Sequence, residues 1–352
     1  MLNHSEIVSI LGPKANELLS HVCTAAPKNL IATPGPYQVE NVFRKSDRSE
    51  AVIANLHKLY GSGALADTGY LSIFPVDQGV EHSAGFSFAN NPAYFDPETI
   101  VKLAVAAKCN GVASTLGVLG LFSDEYAGKI PFIVKINHNE LLTYPTKHDQ
   151  VMFASVKQAY DLGATAIGAT VYFGSAESSR QITEVSQAFA LAHELGMATI
   201  LWCYPRNDAF VKNGVNYEDS VDISGQAIHL GVTMEADIIK QKLPTTNGGL
   251  ATIAFSKYSQ PMYNLIGAHP IDWVRYQVLN SYAGKISLIN SGGAFTGVND
   301  FQDIVAAAVI NKRAGGAGMI VGRKVFNLSL DDGVALVEAI QSVYLDKEID
   351  LA

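Results

Sequence analysis

Residues Ala166–Cys203 read AIGATVYFGSAESSRQITEVSQAFALAHELGMATILWC. Two apolar, β-branched runs, Ala166–Tyr172 and Ala198–Cys203, flank a stretch in which Ile182, Val185, Phe189 and Ala192 recur at three- and four-residue spacing. Side chains alternate along a strand and repeat every 3.6 residues along a helix, so the pattern predicts strand, amphipathic helix, strand. Gly196 is a fitting helix stop, because a residue without Cβ adopts the left-handed backbone that ends helices. A helical crossover between apolar strands is the unit of a parallel sheet.

The same alternation runs outward in both directions. Further strands are expected at Tyr70–Val76, Gly111–Ser114, Phe132–Ile136, Ala236–Gln241, Ile286–Asn290 and Gly318–Val321, making eight. Eight strands without an early GxGxxG favour a closed (β/α)8 TIM barrel over a doubly wound sheet. Asp96-Pro97-Glu98 is expected to place an N-cap before a helix-opening proline, and Pro270 opens a helix carrying Trp273, Tyr276 and Gln277. Between the second and third strands, Phe122–Lys129 leaves little room for a full helix. Residues 1–68 differ in pattern: helical pieces at Ser5–His21 and Ser49–Tyr60 are joined by a connection containing Pro27, Pro34 and Pro36. They are expected to form an N-terminal helical extension, a cap or an oligomer contact, with residues 69–352 as the catalytic barrel.

The 352 residues exceed the roughly 250 that such a barrel needs. Only 16% are charged, which points to surface buried between subunits of a homo-oligomer. The net charge of −8 argues against nucleic acid or an anionic membrane as partner, so an anionic substrate must meet a local positive site. Cys23, Cys109 and Cys203 are odd in number and widely spaced, consistent with reduced thiols in the cytoplasm. No apolar run reaches membrane-spanning length, and the N-terminus lacks the basic-then-apolar order of a signal peptide.

In barrels of this kind chemistry sits at the C-terminal ends of the strands. The first strand ends in Pro75-Val76-Asp77-Gln78-Gly79-Val80-Glu81-His82. Asp77 could orient a group or exchange a proton there, and His82 could hold an anion or hydroxyl; a simple turn at Gly79 is the plainer alternative. The fifth ends in Trp202-Cys203-Tyr204-Pro205-Arg206, offering Tyr204 as acid/base and Arg206 as phosphate ligand, with Cys203 a core thiol. On the sixth, Ala236-Asp237-Ile238-Ile239-Lys240-Gln241-Lys242, alternation puts Ile238, Lys240 and Lys242 on one face. A lysine after an apolar strand stretch is either a solvated end, the usual case, or a desolvated amine that, near a second ammonium, loses its proton near neutrality and becomes a nucleophile. Lys135 on the third strand is a rival. Asn290-Ser291-Gly292-Gly293 and Val321-Gly322-Arg323-Lys324 follow the seventh and eighth strands, where backbone amides and an arginine fork commonly grip phosphate. Histidines 138, 148, 193 and 229 are scattered without HExxH or HxH, so no catalytic metal is expected.

Taken together, these strand-end motifs resemble the archaeal and bacterial type of class I fructose-bisphosphate aldolase, in its longer bacterial form. The resemblance runs over nearly the whole chain, although Gln241-Lys242-Leu243-Pro244 departs from the Tyr-Thr-Gly after the lysine in many archaeal members. It implies a cofactor-free, metal-free enzyme that binds a phosphorylated sugar and cleaves fructose 1,6-bisphosphate. Lys240 then matches the Schiff-base lysine, Tyr204 the acid/base, and Asp77 and His82 residues of the site. Ser291, Gly292, Gly293, Gly322 and Arg323 match the phosphate loops; Trp202, Arg206 and Lys242 complete the expected substrate contacts. Two other readings stay open: a related Schiff-base or transaldolase-like enzyme on another phosphorylated ketose, and a non-catalytic phosphosugar-binding barrel.

Overall fold

A computed structural model describes all 352 residues. Eight parallel strands close into one barrel: β1 (Leu71–Pro75), β2 (Gly111–Thr115), β3 (Phe132–Lys135), β4 (Ala166–Phe173), β5 (Ala198–Pro205), β6 (Ile238–Lys242), β7 (Ser287–Ser291) and β8 (Gly318–Ile320). Each pairs with its sequence neighbours, and β8 pairs with β1 to close the ring. All eight expected strands are present, with ends that coincide or shift by at most two residues. β6 begins at Ile238, not Ala236, and runs on through Lys242, so both lysines of the motif stand on the strand itself.

Alternation sorts each strand into two faces. Leu71, Ile73, Ala113, Ile133, Ala166, Ile200, Trp202, Ile238, Ile289 and Ile320 fill the barrel interior. Phe74, Val112, Val134, Val171, Leu201, Cys203, Ile239 and Met319 face the surrounding helices. Truncating one of these buried aliphatic side chains to alanine costs about 2–5 kcal/mol, so register is strongly specified. The interior is crowded enough that Gly168 is required: a Cβ there would lie 2.6 Å from Trp202 Cζ3.

The expected helices form with local corrections. The Ser178–Glu194 helix buries Val185, Phe189 and Ala192, and Gly196 follows at φ +91°. Pro270–Asn280 starts at its proline. The Asp96 helix starts at Glu98, one residue later than the Pro97 start expected, with the Asp96 carboxylate accepting the Glu98 N–H at 3.0 Å. Between β2 and β3 two short helices, Leu116–Leu121 and Ser123–Tyr126, replace one long one. The Ser5–His21 piece is broken into His4–Leu11 and Ala15–Ser20, because Gly12 turns at φ +55° and Pro13 cannot donate a helical hydrogen bond.

Before β1, the Glu50–Tyr60 helix puts Val52, Ile53, Leu56 and Leu59 into the interior cluster beside Leu71, Ala198 and Ile238, the starts of their strands. It closes the N-terminal mouth of the barrel. His4–Leu11 and Ala15–Ser20 pack outside, against the Asp300–Ala314 helix, where Gln302 Nε2 donates to the Ile10 and Leu11 carbonyls at 3.0 and 3.1 Å. One mouth is thereby plugged, and the strand ends at the other are left open.

Candidate active site

At the open mouth lies a cavity of about 660 Å³, within the usual range for a small-molecule site. Six Lys and Arg side chains line it against four Asp and Glu, in a chain that overall carries 25 basic and 33 acidic residues. The local excess of positive charge is therefore built against the global balance. Every site residue expected from the sequence lines this one cavity: Lys240, Tyr204, Asp77, His82, Trp202, Arg206, Lys242, Ser291, Gly292, Gly293, Gly322 and Arg323.

Four lysines line the cavity, and their surroundings differ; Lys324 pairs with Asp300. Lys135 on β3 is 3% exposed; its Nζ lies 3.3 Å from Asp77 Oδ2 and 3.4 Å from Glu81 Oε1, and donates to the Asn137 carbonyl at 2.9 Å. Lys242 pairs with Asp219 at 2.9 Å. Lys240 makes no ion pair or side-chain hydrogen bond; its Nζ sits 5.3 Å from the Trp202 ring centre and 5.2 Å from that of Tyr204. Burial pushes its amine down to about 7; Asp77 opposes the shift, while Lys135 and Arg323 add to it. Desolvation disfavours the ammonium form, so the half-buried Lys240 is poised to lose its proton near neutrality. Register places it between Trp202 on β5 and Ile289 on β7.

Around this amine stand groups able to move protons. Burial pushes the Tyr204 phenol above its ordinary range, so at neutral pH it is a proton donor. Burial alone would raise Asp77, but Lys135 and His138 outweigh it and hold the carboxyl ionised. A turn does form at Gly79, but without an Asp77 side-chain cap: the Gly79 N–H donates to the His82 carbonyl at 2.8 Å, leaving the Asp77 carboxylate to face Lys135. Glu81 accepts from Gln150 Nε2 at 2.9 Å and from the Tyr172 hydroxyl at 3.2 Å, and is ionised as well. An amine free of its proton, a protonated phenol and a fixed carboxylate are what imine formation with a ketone needs.

Opposite them, the turns after β7 and β8 form an anion cradle. The Gly293, Ala294 and Gly322 amides donate to no acceptor in the chain. Gly293 turns at φ +77°. A Cβ at Gly322 would lie 2.2 Å from the Pro75 carbonyl, so only glycine lets the turn after β8 approach the end of β1. The Arg323 guanidinium makes no hydrogen bond or ion pair, whereas Arg206 is held by Glu218 at 3.0 Å. His82 stands exposed at the rim.

The strand-end motifs pointed to the lysine and its neighbours but not to what holds them. Tyr172, Glu218, Asp219 and the role of His138 beside Asp77 were not singled out. Tyr172 had a signal, since it lies on the inward face of β4 in register with Tyr204. Glu218 and Asp219 had none, because they sit in a loop with no periodicity. Cys203 faces the helices and its thiol is pushed well up by burial, which removes it as a nucleophile.

A family model described as DeoC/LacD family aldolase matches residues 71–328. A Chlamydia pneumoniae protein named probable fructose-bisphosphate aldolase class 1 is 54% identical over 353 residues, covering 100% of both chains. A solved archaeal fructose-1,6-bisphosphate aldolase, whose catalytic lysine is covalently bound to the carbinolamine intermediate of its substrate, is similar with a TM-score of 0.62. It is 26% identical, covering 77% of this chain and 94% of that one. The fructose-bisphosphate aldolase of Slackia heliotrinireducens shares the fold at 21% identity and TM-score 0.68, covering 90% and 91%.

Proposed function

The chain belongs to the DeoC/LacD aldolase family, and on that premise we propose that it is a class I, Schiff-base fructose-1,6-bisphosphate aldolase. It cleaves its substrate reversibly to dihydroxyacetone phosphate and glyceraldehyde 3-phosphate, without metal or other cofactor. The observation that carries this reading is the unpaired Lys240 beside Tyr204 and Trp202, facing an anion cradle, with desolvation lowering its amine. The 54% identity to the Chlamydia pneumoniae protein supports the choice of substrate.

The neutral Lys240 amine adds to the C2 ketone, and loss of water gives an iminium. The iminium draws electrons from the C3–C4 bond once the C4 hydroxyl loses its proton, for which Asp77 is the assigned base. The bond breaks, the aldehyde leaves, and an enamine remains. Tyr204 returns a proton to C3, and water hydrolyses the iminium to release the ketone and free Lys240. Splitting one carbanion step into several lowers the barrier of each. The C1 phosphate rests on Ser291, Gly292, Gly293, Gly322 and Arg323. Arg206 and Lys242 exchange their carboxylate partners for the second phosphate, with Trp202 and His82 shaping the wall and rim. Residues 69–352 are the catalytic unit and 1–68 its cap, and the protein works as a cytoplasmic homo-oligomer.

The test is turnover of fructose 1,6-bisphosphate with and without chelator, followed by borohydride trapping and peptide mapping. Turnover indifferent to chelator with a reduced adduct on Lys240 is expected. Activity lost to brief chelator treatment would reject the mechanism. An adduct on Lys135 or Lys242 would move the nucleophile, and preferred turnover of another phosphorylated ketose would correct the substrate.

A further inference from the structure

Away from the open mouth, a second group of donor atoms joins the N-terminal segment to the start of the Pro270–Asn280 helix. His21, Cys23 and Asp272 each present one ligating atom, and the three lie within 4.8 Å of one another. Cys23 is 2% exposed and Asp272 8%. His21 Nε2 stands 2.9 Å from Asp272 Oδ1. The His269 ring stacks on His21 with centroids 3.8 Å apart and planes 11° apart. His269 Nε2 is buried with no hydrogen-bond partner; Glu17 Oε1 lies 3.3 Å away, off the line a hydrogen bond requires.

We propose that His21, Cys23 and Asp272 bind a thiophilic divalent transition-metal ion, zinc foremost, that staples the N-terminal segment to the barrel. A tetrahedral ion with bonds of about 2.0–2.3 Å holds its donors roughly 3.3–3.8 Å apart. The imidazole–carboxylate pair needs to part by about half an ångström, and the sulfur to close by no more than about one. Nitrogen, sulfur and oxygen in one set select zinc over magnesium or calcium, which take oxygen donors. The three side chains leave the fourth tetrahedral position to water.

Charge supports the assignment. Asp272 is a buried carboxylate with no lysine or arginine hydrogen-bonded to it. The nearby Arg275 spends its guanidinium on the carbonyls of Ala26, Arg313, Ala314 and Ala352. Buried charges are ordinarily paired or coordinate metals. A buried cysteine gives up its thiol proton to ligate a metal as thiolate. Binding releases that proton to solvent, and the resulting thiolate and carboxylate together neutralise a divalent ion. Asp272 Oδ2 remains with the His269 N–H at 3.4 Å, which orients the ligating oxygen.

The test uses cobalt(II) as probe on the full chain, stripped with chelator and desalted. One equivalent is expected to bind with a thiolate-to-cobalt charge-transfer band and the strong visible absorption of a four-coordinate ion, both abolished by zinc. Cys23→Ser should erase the charge-transfer band and weaken binding by on the order of 100-fold or more, while turnover stays at wild-type level. His21→Gln keeps the thiol and should also weaken binding, which covers a Cys23→Ser protein that fails to fold. Substoichiometric cobalt on the wild type, or an unchanged band in Cys23→Ser, would overturn the site. Neither result touches the Schiff-base reading, which rests on Lys240 and its neighbours at the open mouth, none of them in this group.

Discussion

Asp237 and Lys240 stand three residues apart near opposite ends of one strand-six segment, and the fold treats their charges in opposite ways. Asp237, at the closed mouth, is 0% exposed and fully engaged. Arg48 Nε donates to Oδ1 at 2.7 Å, His193 Nε2 stands 3.1 Å from Oδ2, and the Thr199 N–H donates to Oδ2 at 2.9 Å. Burial alone would raise its carboxyl, but His193 and Arg48 outweigh that and hold it ionised. Lys240, at the open mouth, stands half-buried beside aromatic rings with no partner, and desolvation lowers its amine to about 7. A buried charge that is paired fixes structure; a buried charge left unpaired becomes reactive.

The strongest way to break this comparison is to remove a proton carrier at the open mouth. Tyr204→Phe deletes one hydroxyl and keeps the ring, so turnover should fall about 10²–10⁴-fold while borohydride still traps substrate on Lys240. Near-normal turnover would hand the proton to Asp77 or Glu81. At the closed mouth the same logic predicts a stability effect instead. Asp237→Ala strands Arg48 and His193, and denaturant unfolding should show a loss of about 3–5 kcal/mol, with turnover per folded molecule preserved. A loss below roughly 1 kcal/mol would mean that the pair is solvated in solution.

Two smaller effects sharpen the picture of the open mouth. Arg323→Ala should raise KM with little change in kcat, by an amount equivalent to about 1.5–3 kcal/mol, because an unpaired guanidinium there grips substrate in ground and transition state alike. An unchanged KM in folded protein would remove the cradle assignment. The smallest effect concerns pH. Wild-type kcat/KM should rise as pH increases through about 7, where the Lys240 amine loses its proton. Lys135 is one of the cations that lower that midpoint, so Lys135→Met should move the rising limb to higher pH. A pH–rate profile that does not move would show that burial alone sets the Lys240 amine.

Much of the candidate site was legible because barrel topology converts sequence position into space. A motif at the end of any strand falls at the same mouth, so residues from Asp77 to Arg323 meet without a single long-range contact being known. Lys135 is instructive: its pattern on β3 is nearly that of Lys240 on β6, and alternation puts both inside. What separates them is Asp77, Glu81 and the Asn137 carbonyl, brought to one lysine and not to the other. The breaks in the early helices were partly hidden because Gly12-Pro13 sits inside an otherwise helical stretch.

By itself the sequence determined the eight strands, their inward faces and the strand-end groups, because periodicities of 2 and 3.6 and the turn residues are local properties of the chain. Only the tertiary structure decided which lysine is unpaired, that Tyr172 and Glu218 brace the pocket, and that Glu50–Tyr60 plugs the far mouth. It alone brings His21 and Cys23 against Asp272. These depend on desolvation and on contacts between residues as many as 251 positions apart, as His21 and Asp272 are. Neither burial nor charge pairing has a period that a single chain can display.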